Sequence, residues 1–560
     1  MQRNEAAALR EAPQAPGIDR TSEGVAHVYR APALGWPRSL GRAGRYALLF
    51  AVVTGLITHG YHLFQYPLYN TDEGIYMERA WAVIREDRLS PQTYFYDHAP
   101  GGWLVLALWE LVLPAHFETF GNPVNSGRVL MLLLHAGSVF FLFQIARRLS
   151  GGRLLAPTIA TFLFNFSPLG IYYQRMVLLD NLMVFWVLLS IFLLLRNETR
   201  LFTGLWSGLT FGLAVITKEN AIFFAPAIFY LLYRLVKEDP NRHFVTMLWV
   251  FSAWTPVLVY GLYATLKGEL FPAKLDFNLS HTPQGHVSLM YELWYQINRN
   301  QGTLFNHGSF LYTTWLPKDG FLLGVGTVAM VISLLVGLRD KERNLPLLTA
   351  GGLAFGIAFY LARGSVILVF YVIPLIPIFA LNIGLVADWV RQRAPAPALG
   401  KVVPAAAACI AAALMLIPSG RYFVVRGEQG QLKPNDVYYL PLTYLQQEQI
   451  AWIRAHIQPS DKIIMDDDIW VSLHDINPSY RFAESHWNAA SDPRIRNKIF
   501  GSNWHNINYI VLSNGMIHAM NLNNTGGQES WILDALNYHS TKVWQASRGK
   551  VHLAIYRVTG

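Results

Sequence analysis

Cysteine is almost missing from this chain: Cys409 is the single one in 560 residues. That excludes an intrachain disulfide framework and any cysteine-built metal centre. Charge is scarce as well. Only 14% of the residues are charged, where a soluble domain carries about a quarter, and this argues against an ordinary soluble enzyme. No secretory leader is evident, because the Ala-, Pro- and Arg-rich stretch 1–40 precedes the first apolar run and reads as a disordered cytoplasmic tail. No internal repeat is present. His281, His286 and His307 lack metal-ligand spacing.

What the chain has in abundance is apolar sequence, 52% of the total. Runs near 46–64, 127–146, 154–171, 179–195, 202–217, 220–236, 244–266, 320–338, 345–361, 365–387 and 402–419 predict about eleven transmembrane helices. The run 103–117 is short and contains Glu110 and Pro114, so it reads as a helix lying on the membrane surface. The fold class expected is a polytopic α-helical membrane protein with a transmembrane domain over 41–419.

The net charge of +9 is explained by orientation and needs no nucleic acid. Alternate short loops collect the arginines and lysines: Arg147, Arg148 and Arg153; Arg196 and Arg200; Arg234, Lys237 and Arg242; Arg339, Lys341 and Arg343; Arg391, Arg393 and Lys401. By the positive-inside rule these loops and the N-terminus are cytoplasmic. The opposite turns hold only Arg175, Lys218 and Arg363, three cations that orientation does not explain. Outer loops at 65–126 and 267–319 follow, with an extracytoplasmic segment at 420–560. That last segment changes character. Thr443–Ile457 and Ser530–Leu536 have helical periodicity, while Lys462–Asp466, Tyr509–Ser513 and Val551–Val558 read as strands. A small C-terminal α/β domain is expected, with Asp466-Asp467-Asp468 in a solvated loop at a strand end.

The residues with chemical potential lie along the outer face. Asp72-Glu73 stands just past the first span, and Asp180 opens a later one. A carboxylate at a membrane mouth costs several kcal/mol unless it is solvated, paired or bound to a cation. Asp72, Glu73, Asp97 and Asp180 supply acids, and Arg175, Lys218 and Arg363 supply cations. A group transfer from a lipid phosphate to a hydroxyl needs this inventory: a base for the hydroxyl proton and positive charge for the departing phosphate. Each element also has a plainer reading. Asp72-Glu73 and Asp180 suit helix N-termini, Lys218-Glu219 suits an interfacial ion pair, and Arg175 and Arg363 suit snorkelling to headgroups. Asp97-His98 precedes the turn Pro100-Gly101-Gly102, which brings the backbone close to a neighbour.

In this order the segments resemble a known family. Asp72-Glu73, Asp97-His-Ala-Pro-Gly-Gly-Trp103, Gln174-Arg-Met-Val-Leu-Leu-Asp-Asn181, Val215-Ile-Thr-Lys-Glu219 and, more weakly, Val369-Phe-Tyr-Val-Ile-Pro-Leu-Ile-Pro377 look like the motifs of GT-C integral-membrane glycosyltransferases. The closest branch holds the protein O-mannosyltransferases and the lipid A aminoarabinose transferase. The departures are Ala99 and Gly101, and a histidine at 98 where some relatives have lysine. The resemblance implies inverting transfer of a monosaccharide from a polyprenyl-phosphate donor to an acceptor hydroxyl of a glycan, lipid or protein on the outer face of a bacterial plasma membrane. It implies Asp72 as acceptor base with Glu73 orienting the acceptor. Lys218 and Arg363 would hold the phosphate, and Arg175, Asp97, His98, Glu219 and Tyr371 would line the substrate site. Asp180, with Asp72, would shape the pocket or help hold a divalent cation. A lipid-linked sugar flippase and a non-catalytic envelope assembly protein are the competing classes. Mid-membrane charges and repeated halves would favour the flippase, and this sequence has neither.

Overall fold

The computed structural model describes residues 40–93, 96, 98–196, 200–271, 288–298, 304–363, 367–393, 441–523 and 527–559, with the strand backbones 424–426 and 432–434. The predicted span 402–419, Cys409, Asp97, His281 and His286 lie outside the described residues.

The bundle contains α1 (Arg42–Gly60), α2 (Thr71–Arg85), α3 (Gly101–Val112), α4 (Pro123–Leu149), α5 (Leu155–Phe166), α6 (Pro168–Tyr173), α7 (Leu179–Leu194), α8 (Arg200–Thr217), α9 (Ala225–Val236), α10 (Arg242–Leu266), α11 (Leu289–Asn298), α12 (Leu316–Arg339), α13 (Leu345–Ala362) and α14 (Leu375–Arg393). Among the described residues, seven helical segments are long and apolar enough to cross a membrane, and α3, α5 and α7 are shorter apolar helices. Two expected spans differ for a local reason. The run 154–171 breaks at Ser167-Pro168, where the Ser167 hydroxyl accepts the Gly170 N–H and starts α6. In 365–387 the helix begins only at Leu375, because Pro374 has no N–H to donate. The turns before it place Phe370 and Tyr371 over the bundle.

Helix packing follows glycine spacing. Gly204, Gly208 and Gly212 recur every fourth residue on α8. A Cβ at Gly208 would lie 2.3 Å from the Trp249 carbonyl oxygen, and one at Gly212 2.3 Å from that of Ala253. Small residues at this spacing let α8 and α10 approach backbone to backbone. One end of the bundle gathers the basic loops: Arg153 pairs with Asp388 at 2.8 Å, Arg234 with Glu342 at 3.4 Å, and Arg148 donates to the Phe192 carbonyl at 3.1 Å. Asp180, Lys218 and Arg363 occupy the opposite helix ends.

At that second end sits the C-terminal α/β unit. Its sheet runs in the order β4-β3-β5-β7-β6, from β3 (Ile463–Met465), β4 (Ala483–Ser485), β5 (Tyr509–Leu512), β6 (Ser540–Arg548) and β7 (Val551–Val558). The β3 pairs are parallel and the β5–β7–β6 part is antiparallel. A separate antiparallel pair joins β1 (Val424–Arg426) to β2 (Leu432–Pro434). The helix Thr443–His456 and the strands at 463, 509 and 551 fall where the pattern predicts. The long strand β6 alternates polar and apolar residues too weakly to be read in advance.

Docking to α2 is polar and specific. The Gln446 carboxamide accepts the Tyr69 N–H at 2.9 Å and donates to the Tyr69 carbonyl at 3.0 Å. Arg85 forks onto Asp475, and Thr93 gives both its N–H and hydroxyl to Asp492. The expectation of a solvated Asp466–Asp468 loop is corrected here. All three are buried, because α2 lies on their backbone. Their side chains are held by Thr71 and Ser513, by Trp487, and by Gln446.

Gly74 sets that approach. A Cβ on it would lie 2.1 Å from the Asp467 carbonyl oxygen. Gly74→Ala should therefore push the C-terminal unit off α2 and cost about 1–3 kcal/mol, read as a lower melting temperature and faster proteolysis of the full-length protein.

The same seam is sensitive to pH. Burial pushes the Glu484 carboxyl up to about 8, and burial with mutual repulsion raises Glu78, Asp467 and Asp468 above the ordinary carboxylate range. Burial works against a charged His486, but the Glu529 carboxylate outweighs it and raises that histidine too. A group raised on folding contributes fully below its unfolded value and loses that contribution as pH climbs through the folded one. Thermal stability should fall as pH rises from about 5 to about 8. Glu484→Gln should flatten the fall, and an unchanged slope would mean the proton resides elsewhere.

Candidate functional site

Asp180 lies in the first turn of α7 and is fully buried. Lys218 follows the last residue of α8 in extended conformation (φ −154°, ψ 123°), outside the helical ladder. Its ammonium lies 2.5 Å from Asp180 Oδ2. The nitrogen also lies 4.1 Å from the Tyr371 ring centre and 5.4 Å from that of Phe370. The aromatic contacts continue outward: Tyr371 is 6.4 Å from Tyr360, and the Arg363 guanidinium lies 5.0 Å from Tyr360 and 5.5 Å from Phe223. Two cations, one buried and one exposed, are thus joined by a wall of rings.

A second arm comes from the turn before α3. Glu219 accepts the Ala99 N–H at 2.6 Å and meets His98 Nδ1 at 3.1 Å. A Cβ at Gly101 would lie 2.8 Å from the Ile216 carbonyl oxygen, and one at Gly102 2.2 Å from Leu179 Cδ2. The two glycines therefore seat this turn on the ends of α7 and α8. The His98 ring is 6.5 Å from Tyr76, one helical turn beyond Asp72 and on its face of α2. Asp72 is half-buried in the first turn of α2, with its N–H bonded to Asn70 Oδ1.

Two expected roles change. Glu73 does not face an acceptor. It is fully buried, and its carboxylate takes a fork from Arg128 (2.9 and 2.7 Å), the Val177 N–H at 2.9 Å and the Asn70 N–H at 3.1 Å. Arg175 neither snorkels nor faces the site. It stacks 4.1 Å from the Tyr66 ring and donates to the carbonyls of Thr58, Tyr61 and Ile171, satisfying the end of α1. Asp180, expected to shape the pocket or help hold a divalent cation, pairs with the Lys218 ammonium. Among the described residues no three His, Cys, Asp or Glu side chains form a cation-ligand group.

Arg128, Tyr360 and Phe370 went unread. Arg128 had a signal, since a charge in the first turn of an apolar run calls for a partner. The aromatic residues had none, because rings are common in every span of this chain.

Residues 104–260 match the family Dolichyl-phosphate-mannose-protein mannosyltransferase. The fold is similar to that of ArnT from Cupriavidus metallidurans bound to undecaprenyl phosphate, at 14% identity over 92% of this chain and 98% of that one, with a TM-score of 0.55. It is also similar to the oligosaccharyltransferase AglB from Archaeoglobus fulgidus in complex with an inhibitory peptide and a dolichol-phosphate. There the identity is 13% over 92% of this chain and 74% of that one, with a TM-score of 0.50. No curated protein matches the chain by sequence. The family match thus covers residues 104–260, and the fold of the chain is similar to that of these two membrane proteins. The resemblance read from the motifs holds at that level.

Breaking a buried ion pair costs about 3–5 kcal/mol, because the remaining charge has no partner. Lys218→Ala alone should destabilise the protein by about that amount. The double variant Asp180→Asn with Lys218→Met should recover most of the loss in thermal unfolding. Activity that stays lost in the recovered double variant would assign the pair to substrate as well as to the fold.

Proposed function

We propose that the protein transfers a monosaccharide from a polyprenyl-phosphate donor to an acceptor hydroxyl, with inversion, at the helix ends that carry Asp180, Lys218 and Arg363. The carrying observation is the alignment of cations with a lipid-facing groove. An apolar groove of about 620 Å³ runs between α9 and α13, from Phe223 and Phe359 down to Leu338 and Lys341. Its upper end reaches Phe223, the ring on which Arg363 rests. A prenyl tail in the groove brings its phosphate to Arg363, with the Lys218 ammonium behind the tyrosine wall. ArnT bound to undecaprenyl phosphate and AglB in complex with a dolichol-phosphate support a ligand of this chemical kind.

In the reaction the acceptor oxygen attacks the anomeric carbon as the bond from that carbon to the phosphate oxygen breaks. The acceptor proton passes to the Asp72 carboxylate. The lipid phosphate departs with the bond's electron pair, and Arg363 and Lys218 balance its charge without supplying a proton. Glu73 positions Asp72 by fixing the start of α2 on Arg128. His98, held by Glu219, closes the acceptor side next to Tyr76. No step is routed through a metal. The basic loops at the far end support an extracytoplasmic position for this site under the positive-inside rule. Asp97 remains a proposed substrate contact on sequence grounds alone.

Asp72→Asn should retain donor binding and lose roughly 10²–10⁴ in turnover, since the amide cannot take the proton. Donor titration and a single-turnover assay measure the two parts. Wild-type turnover in a folded Asp72→Asn protein would remove Asp72 from the chemistry, and a product with retained anomeric configuration would contradict direct displacement.

A further inference from the structure

The basic end of the bundle contains a cavity that the proposed reaction does not use. It measures about 240 Å³ and lies between the end of α4, the start of α13 and the last turn of α14. Arg153, Arg343 and Arg393 line it, together with Asn344, Trp389 and Asp388. Asp388 is already spent, taking Arg153 at 2.8 Å and the Gln392 amide at 2.9 Å. Among the described residues no acid lies within ion-pair distance of Arg343 or Arg393. Arg393 is held in place by stacking 4.2 Å from the Trp389 ring.

A helix start faces the same space. Helix α13 is 18 residues long and begins at the cavity wall with no side chain capping it. Pro346 occupies its first turn, and the neighbouring N–H groups have no intrahelical acceptor. The lining therefore offers donors and positive charge from three directions, while its one carboxylate is neutralised. Orientation by the positive-inside rule asks only for basic residues somewhere in these loops. It does not ask them to converge on a concave site with an uncapped helix end.

We propose that this cavity binds a phosphate group, as carried by the headgroup of an anionic membrane lipid or by free phosphate. A phosphate of either source accepts hydrogen bonds on every side, matches the forked guanidinium, and is favoured at a helix N-terminus. The cavity lies where helix ends meet the membrane surface, the level of lipid headgroups. Bound there, the anion ties α4, α13 and α14 together at the end remote from the transfer site.

The test is thermal unfolding of the purified full-length protein in neutral detergent, titrated with dioctanoyl phosphatidylglycerol, dioctanoyl phosphatidylcholine or inorganic phosphate. Phosphatidylglycerol should raise the melting temperature of the wild type more than phosphatidylcholine does. The Arg343→Gln, Arg393→Gln double variant should need about tenfold more phosphatidylglycerol for the same shift, in line with the loss of charge-assisted bonds. Arg339→Gln, in the same loop but outside the cavity, should behave as wild type. A shift given equally by inorganic phosphate supports the site and assigns it to free phosphate. No shift with either anion, or equal weakening by Arg339→Gln, would overturn the proposal, the latter by reducing it to diffuse surface charge.

Discussion

The pairing of Glu73 with Arg128 is the constraint on which the rest of this end of the molecule depends. Both side chains have no solvent exposure. Arg128 also reaches the carbonyls of Leu63 and Leu68, and Glu73 also accepts from Val177. One ion pair thus fixes three segments: the chain leaving α1, the start of α2 and the stretch that leads into Asp180. Its energy comes from hydrogen-bond completeness in a dry site, where either partner alone would be strongly disfavoured. The adjacent Asp72 stays half-buried while Glu73 carries the structural burden. Two neighbouring carboxylates acquire different roles from their direction on one helix.

From that fixed point the site is assembled by helix ends. Asp180 and Lys218 meet because α7 and α8 are antiparallel neighbours whose ends coincide, and the turn before α14 lays Phe370 and Tyr371 over them. The aromatic rings lower the local polarity around Lys218 and strengthen its attraction to Asp180. They also give Arg363 a surface to rest on, and among the described residues no acid pairs with it. The far end shows the same economy of charge: Asp388 neutralises Arg153, while Arg343 and Arg393 line an open cavity.

The C-terminal unit belongs to this architecture as a lid on α2. It is not a separate module. Its contact is made by side chains that read backbone, such as Gln446 on Tyr69 and Thr443 on Phe64. Buried acids line the seam, so its strength varies with proton concentration. A hydrophobic residue at Gly74 is excluded by the closeness of two backbones, not by any property of the glycine itself.

Much was legible in advance. The apolar runs, the alternation of basic loops and the strands at 463, 509 and 551 are local properties, set by composition and periodicity over short windows. The motif order placed Asp72, Asp180, Lys218 and Tyr371 at one end of the bundle for the same reason. What the sequence could not determine was partnership. Glu73 and Asp72 are neighbours in the chain, yet only packing shows that one meets Arg128 and the other does not. Arg175 has the composition of a lipid-facing cation but caps α1, and Asp466–Asp468 has the composition of a solvated loop but lies beneath a helix. Burial and pairing depend on which distant surfaces meet, and that is decided by close approaches such as those at Gly74, Gly208 and Gly212. Those are properties of the folded chain alone.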